Sequence, residues 1–154
     1  MNAEDTMNIA TCMPHQGDMC WLQNLQFCDS ERIVADTVIN PDHPFADALG
    51  VPAWTGIEYM AQAIAAWAGQ RALQRGESIK PGFLLGTRRY DSLRSHFALG
   101  LRLRVEAQCE LFGDNGLGMF SCRLFDADCE IARANLSVYE PPLINTFLQE
   151  SSTT

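Results

Sequence analysis

An α+β architecture, one long helix laid against an antiparallel sheet, is predicted by two patterns in the chain and by their order. Downstream of Pro52 the apolar residues Ile57, Met60, Ala61, Ile64, Ala65 and Ala68 recur at steps of three and four, the period of a helix face set against a core. Further on the period changes to two. Leu101, Leu103, Val105, Ala107, Cys109 and Leu111 alternate with Arg102, Arg104, Glu106, Gln108 and Glu110, as a long strand with one wet face requires. A strand pattern precedes the helix and turn-linked strand patterns follow it, which places the helix on one face of the sheet.

Each element has its own local signature. Residues 1–12 are polar and unpatterned and are expected to be loose, ahead of a single domain over 13–147 and a loose tail over 148–154. Cys20-Trp21-Leu22 suits a short turn or helix packed under the domain. Asp29-Ser30-Glu31 makes a turn before a strand over 32–39, and Pro41-Asp42 breaks that strand into a loop carrying His43. Pro52 suits a first helical turn and Arg75-Gly76 a stop, so the helix runs for about 20 residues and spans about 30 Å. Gly82-Phe83-Leu84-Leu85-Gly86 begins a strand whose glycines suggest bends. Asp114-Asn115-Gly116 turns the long strand into a partner over 117–125, Asp126-Ala127-Asp128 turns again into a strand over 131–139, and Pro141-Pro142 ends it.

Composition narrows the function classes. At 154 residues the chain is most simply one domain with a real core. Its 47% hydrophobic and 19% charged content suits a folded chain rather than a disordered one. No apolar run approaches the roughly 18 residues of a membrane span. The N-terminus, with Glu4 and Asp5 and no basic region, does not read as a signal peptide, so a soluble cytoplasmic protein is expected. The six cysteines then read as reduced core thiols, and with no Cys-x-x-Cys pair and no clustered histidines, neither a metal nor a cofactor is expected. A net charge of −8 argues against nucleic acid as the main partner. Residues 80–104 nevertheless carry Lys80, Arg88, Arg89, Arg94, Arg102 and Arg104 against one acid, Asp91. That stretch is either the solvent face of two strands or a docking patch for an acidic partner or a phosphate.

Chemistry concentrates between His43 and Gln62. Glu58 lies among apolar helix neighbours and shares a face with Gln62, four residues on. If buried there, the carboxyl resists ionisation and is a candidate general acid; on the helix flank it is an ordinary exposed glutamate. His43, between Pro41 and Pro44, is either a surface or capping residue of its loop or a base. A base beside the carbon next to a thioester, with an acid at a hydroxyl one carbon further, together allow loss of water near neutral pH. Backbone N–H groups at the helix start, near Ala53 and Trp54, could hold the developing enolate oxygen.

The block His43…Pro52-Ala53-Trp54-Thr55-Gly56-Ile57-Glu58-Tyr59-Met60-Ala61-Gln62 resembles the active-site signature of the hot-dog fold 3-hydroxyacyl-acyl carrier protein dehydratases of the FabA/FabZ type. Met13-Pro14-His15 followed by Met19 is similar to their N-terminal block, and Phe83-Leu84-Leu85-Gly86 to their Phe-Leu-x-Gly segment. The wording from Gly50 to Gln62, with Gly82 to Tyr90, is closest to the dehydratase-like proteins of aryl polyene pigment clusters. The resemblance implies a hot-dog fold, a sheet wrapped around one central helix. It implies conversion of a 3-hydroxyacyl chain, carried on acyl carrier protein through phosphopantetheine, to the trans-2-enoyl thioester, in fatty acid or aryl polyene biosynthesis. His43 takes the role of base and Glu58 that of acid, while Ala53, Trp54 and Gln62 border the substrate. Ala53 stands where the family has glycine, the His43 to Glu58 spacing is one residue longer, and Trp54 is bulkier than the usual residue, which would narrow or flatten the acyl tunnel.

In the family two protomers pair their sheets edge to edge and the histidine of one meets the acid of the other. The partner is therefore a second copy or a related dehydratase subunit. Arg88, Arg89 and Arg94 become the expected docking residues for the acidic carrier protein. Two alternatives on the same fold are an acyl thioesterase, in which a helix carboxylate activates water, and a non-catalytic subunit of a dehydratase heterodimer.

Overall fold

The structure, a computed structural model, describes residues 7–15 and 17–141. Its strands are β1 (Met7–Asn8), β2 (Asn24–Cys28), β3 (Arg32–Val38), β4 (Val51–Pro52), β5 (Phe83–Ser92), β6 (His96–Phe97), β7 (Arg102–Phe112), β8 (Leu117–Asp126) and β9 (Cys129–Tyr139), with one helix, α1 (Thr55–Gln74). Seven strands form one antiparallel sheet in the order β1-β2-β3-β7-β8-β9-β5, and β4 pairs with β6 in a separate two-stranded ribbon. The sheet wraps around α1 in the hot-dog topology.

α1 starts where the Thr55 hydroxyl donates to Pro52 O at 2.6 Å. It stops at Gly76, whose φ of +73° is a left-handed conformation that suits glycine. There the Glu77 N–H reaches back to Ala72 O (2.8 Å) and the Gly76 N–H to Leu73 O (3.1 Å), which satisfies carbonyls the last turn would otherwise leave open. The helix presents three faces. Tyr59, Met60, Ala63, Ala66 and Trp67 are buried against the sheet. Gln62 and Gly69 face the N-terminal segment, where a Cβ at position 69 would overlap the Cys12 carbonyl oxygen. Ala61, Ala65 and Ala68 line a groove. The buried face is thus rotated from the expected stripe: Met60 and Ile64 go inward, while the stripe's alanines leave space beside the helix.

Residues 7–12 are built into the domain rather than trailing from it. β1 pairs with β2, a 3-10 turn follows over Ile9–Cys12, and Ile9 and Cys12 are fully buried under α1. Residues 1–6 and the tail over 148–154 lie outside the described residues. All six cysteines are free. Burial pushes the Cys12 thiol up to about 11 and the Cys28 and Cys122 thiols up to about 12, so these three stay protonated and unreactive near neutrality. Among the described residues no helix is long and apolar enough to cross a membrane.

β5 is the exposed edge of the sheet. Among the described residues it hydrogen-bonds to β9 on one side only, with irregularities between Leu84 and Gly86 and between Thr87 and Tyr90. Phe83 and Leu85, at 54% and 56% exposure, stand in solvent at its start.

Candidate active site

Glu58 sits in the first turn of α1 with its side chain 40% exposed. One turn on, Gln62 is 1% exposed, and its amide is fully employed. Its Oε1 accepts the Trp21 N–H at 2.8 Å, and its Nε2 donates to Met19 O at 2.9 Å and to Glu58 Oε1 at 3.1 Å. The i,i+4 spacing therefore delivers the shared face, and Gln62 holds the carboxylate while pinning the N-terminal segment. The same Oε1 lies 3.8 Å from His15 Nε2. His15 and Glu58 border the groove of about 130 Å³ whose floor is Ala61, Ala65 and Ala68 and whose walls include Phe83, Leu84 and Val138. Lys80 and Glu140 also line it, and burial raises the Glu140 carboxyl above its ordinary value.

His43 lies elsewhere, in an aromatic nest. Its loop is shaped by Asn40, whose side chain accepts the Asp42 N–H (2.8 Å) and whose carbonyl accepts the His43 N–H (3.0 Å). The imidazole packs on Trp21, with ring centroids 4.2 Å apart, and near Tyr59 and Phe45 at 6.1 Å each. Its Nδ1 accepts the Phe45 N–H at 3.1 Å. In the neutral ring that bond assigns the proton to Nε2, which is buried without a hydrogen-bond partner among the described residues. Desolvation lowers the His43 pKa from 6.5, which keeps the ring neutral at neutral pH.

At the helix start the Ala53 N–H is already donated to Ser95 O at 2.9 Å. The Ala53 carbonyl accepts the Tyr90 hydroxyl at 2.5 Å. Neither the Trp54 nor the Thr55 N–H makes a backbone hydrogen bond outside regular secondary structure among the described residues. The Trp54 indole is 55% exposed and meets Phe45 edge-on at 4.8 Å. Arg88 and Arg89 are exposed on β5, where Arg89 pairs with Asp91 at 2.8 Å. Arg94 is half-buried and pairs with Asp126 at 2.9 Å. Two of the three expected docking arginines thus already have carboxylate partners.

Within one chain, then, Glu58 and Gln62 come together with His15, and no hydrogen bond or ion pair joins Glu58 to His43 among the described residues. His15 is not among the site residues the sequence predicts. The only sequence signal for it is the Met13-Pro14-His15 block, which has no periodicity to place it.

The fold has clear structural relatives. The dehydratase heterocomplex ApeI:P from Xenorhabdus doucetiae contains a chain that superposes with a TM-score of 0.83 at 24% identity, covering 96% of this chain and 99% of that one. Zebra fish thioesterase superfamily member 2 gives 0.62 at 12% identity, over 86% of this chain and 91% of that one. A hypothetical thioesterase with coenzyme A from Streptococcus pneumoniae TIGR4 gives 0.58 at 10% identity, over 75% and 83%. At these identities the likeness speaks to the fold. No curated protein matches the chain. A groove beside the central helix, a helix-borne glutamate held by glutamine and a neutral loop histidine accompany a match over residues 7–149 to the ApeP-like family of ApeP dehydratases, and the chain belongs to that family.

Proposed function

We propose that this chain is one subunit of a two-subunit dehydratase. Its substrate is a 3-hydroxyacyl chain held as a thioester on the phosphopantetheine arm of an acyl carrier protein, and its product is the trans-2-enoyl thioester. The observation that carries this reading is the groove, where one carboxyl group, held by Gln62, stands at the edge of a slot floored by alanines. Such a slot suits an extended apolar chain, and the carboxyl suits the one reaction step that needs an acid.

In the elimination a base takes the C2 proton and the C–H electron pair becomes the C2=C3 double bond. The C3 hydroxyl accepts a proton and leaves as water. Passing the proton from base to acid afterwards restores both groups. Glu58 supplies the acid. Following the family's pairing across the subunit junction, Glu58 works with a histidine of the partner, and His43, neutral as a base must be, works with the partner's acid. The Trp54 N–H is a donor suited to the enolate oxygen.

The unpaired β5 edge with its exposed Phe83, Leu84 and Leu85 is suited to pairing with another strand. That one solved relative is a dehydratase heterocomplex favours a related dehydratase subunit as partner over a second copy. An acidic carrier protein would approach along Arg88, Arg89 and Arg94.

A specific observation favours a second reading, in which the chain completes its partner's site and supplies no base. His43 Nδ1 is occupied by the Phe45 N–H, and Nε2, which carries the ring proton, is sealed. The test is mass spectrometry of a 3-hydroxyacyl-loaded carrier treated with the chain co-purified with a related dehydratase subunit. Loss of one water with the thioester intact, reduced by Glu58→Gln and by His43→Ala and abolished when the two are combined, supports the first reading. Loss abolished by Glu58→Gln alone supports the second. Full activity in both folded variants removes the mechanism, and release of the free thiol would instead assign a thioesterase.

A further inference from the structure

His15 and Glu58 are both among the polar side chains that line the groove, and His15 has no part in the mechanism above. Its position is built rather than accidental. The segment that carries it is clamped to α1 on both sides. On one side, the absence of a side chain at Gly69 lets the Cys12 carbonyl lie against the helix, with Cys12 and Met13 buried there. On the other, the Gln62 amide bonds Met19 O and the Trp21 N–H. These two contacts hold the chain on either side of His15, whose imidazole comes to 3.8 Å from Glu58 Oε1.

The ring's own surroundings assign its proton. His15 Nδ1 is buried and has no hydrogen-bond partner among the described residues. A proton on that nitrogen would be a buried donor with nothing to receive it, which is costly, whereas a bare lone pair there costs less. The neutral ring therefore carries its proton on Nε2, the nitrogen that faces Glu58. Together with Gln62 Nε2, at 3.1 Å, this sets two donors around the same carboxyl oxygen.

We propose that His15 is a positioning residue for Glu58: with Gln62 it fixes one carboxyl oxygen, so that the other is turned to the groove. The proposal rests on Glu58 acting as the acid. The 3.8 Å separation is within ion-pair reach and somewhat longer than a hydrogen bond of about 3 Å. His15 itself need not touch the substrate. Its contribution is orientation, which acts on turnover more than on binding.

Two measurements test this. In two-bond proton–nitrogen NMR spectra of the full chain, with His15 assigned from the spectrum of His15→Gln, the neutral His15 ring shows the Nε2–H tautomer. Its Nε2 resonance moves in Glu58→Gln. In the complex with a related dehydratase subunit, with His43→Ala present so that turnover comes from the Glu58 site, His15→Leu lowers kcat about tenfold with KM within about twofold, and His15→Gln, whose amide keeps a donor, recovers most of the loss. A His15 resonance indifferent to Glu58→Gln, or a His15→Leu complex with parental kcat, overturns the positioning role. Full dehydration by Glu58→Gln is a different failure, because it removes Glu58 from the reaction whatever the spectra show.

Discussion

Gln62→Leu isolates the polar work of one buried side chain, since leucine fills nearly the same volume. Three hydrogen bonds disappear: those to the Trp21 N–H (2.8 Å), Met19 O (2.9 Å) and Glu58 Oε1 (3.1 Å). Glu58, at 40% exposure, turns to water and loses little. The Trp21 N–H has less access to solvent and costs about 2 kcal/mol when left unpaired, while the carbonyl of the more exposed Met19 costs about 1. Leucine's greater preference for the interior returns about 1 kcal/mol. The net loss is about 2 kcal/mol, which in a chain of this size lowers Tm by about 4–8 °C. Circular dichroism melts of the full chain read it directly. Gln62→Glu provides the contrast, because it keeps the acceptor for Trp21 but sets a second carboxylate against Glu58. Its deficit is larger at pH 8 than at pH 5, where the pair can share a proton. A Gln62→Leu chain that melts within about 1 °C of the parent would refute the clamp and the arithmetic together.

Two further outcomes follow from close contacts. Gly69→Ala gains about 1 kcal/mol of helix propensity yet lowers Tm, because its Cβ must push the Cys12 carbonyl, and the buried Ile9 and Met13 with it, away from α1. Gly86→Ala, with nothing near its Cβ, is the control, and a Gly69→Ala chain as stable as that control would contradict the contact. For His43, the folded pKa lies below the 6.5 of the exposed ring, so the unfolded chain binds the proton first as pH falls. The stability this burial allows is whole above about pH 6.5 and is lost as pH drops through the folded value. Urea midpoints between pH 8 and pH 5 fall more steeply for the parent than for His43→Phe; parallel curves would show that the ring is not desolvated.

Periodicity made most of the architecture legible, and its lapses have local causes. In β7 the alternation correctly sends Leu103, Val105 and Ala107 inward, yet Leu111 is exposed, because a bulge between Cys109 and Leu111 changes the phase of the strand. β2 carries no legible alternation: of its five residues only Leu25 is fully buried, and a register shift falls between Leu25 and Phe27. The helix was found by its period, but period alone could not tell alanines that pack from alanines that leave room, so the groove over Ala61, Ala65 and Ala68 was invisible. At the site, the Glu58–Gln62 contact was legible because four residues is one turn. The bond that occupies the Ala53 N–H comes from Ser95, and the approach of His15 depends on Gly69 and Gln62. Both are products of tertiary folding with no local signature.

The two irregularities in β5 reach beyond the neighbour it already has. A straight, evenly pleated outermost strand offers its peptide groups to any extended chain that drifts past, whereas one kinked between Leu84 and Gly86 and again between Thr87 and Tyr90 presents them out of step. Only a newcomer bent at matching places could zip along its whole length. The same irregularities therefore narrow the set of extended chains that can pair along this border.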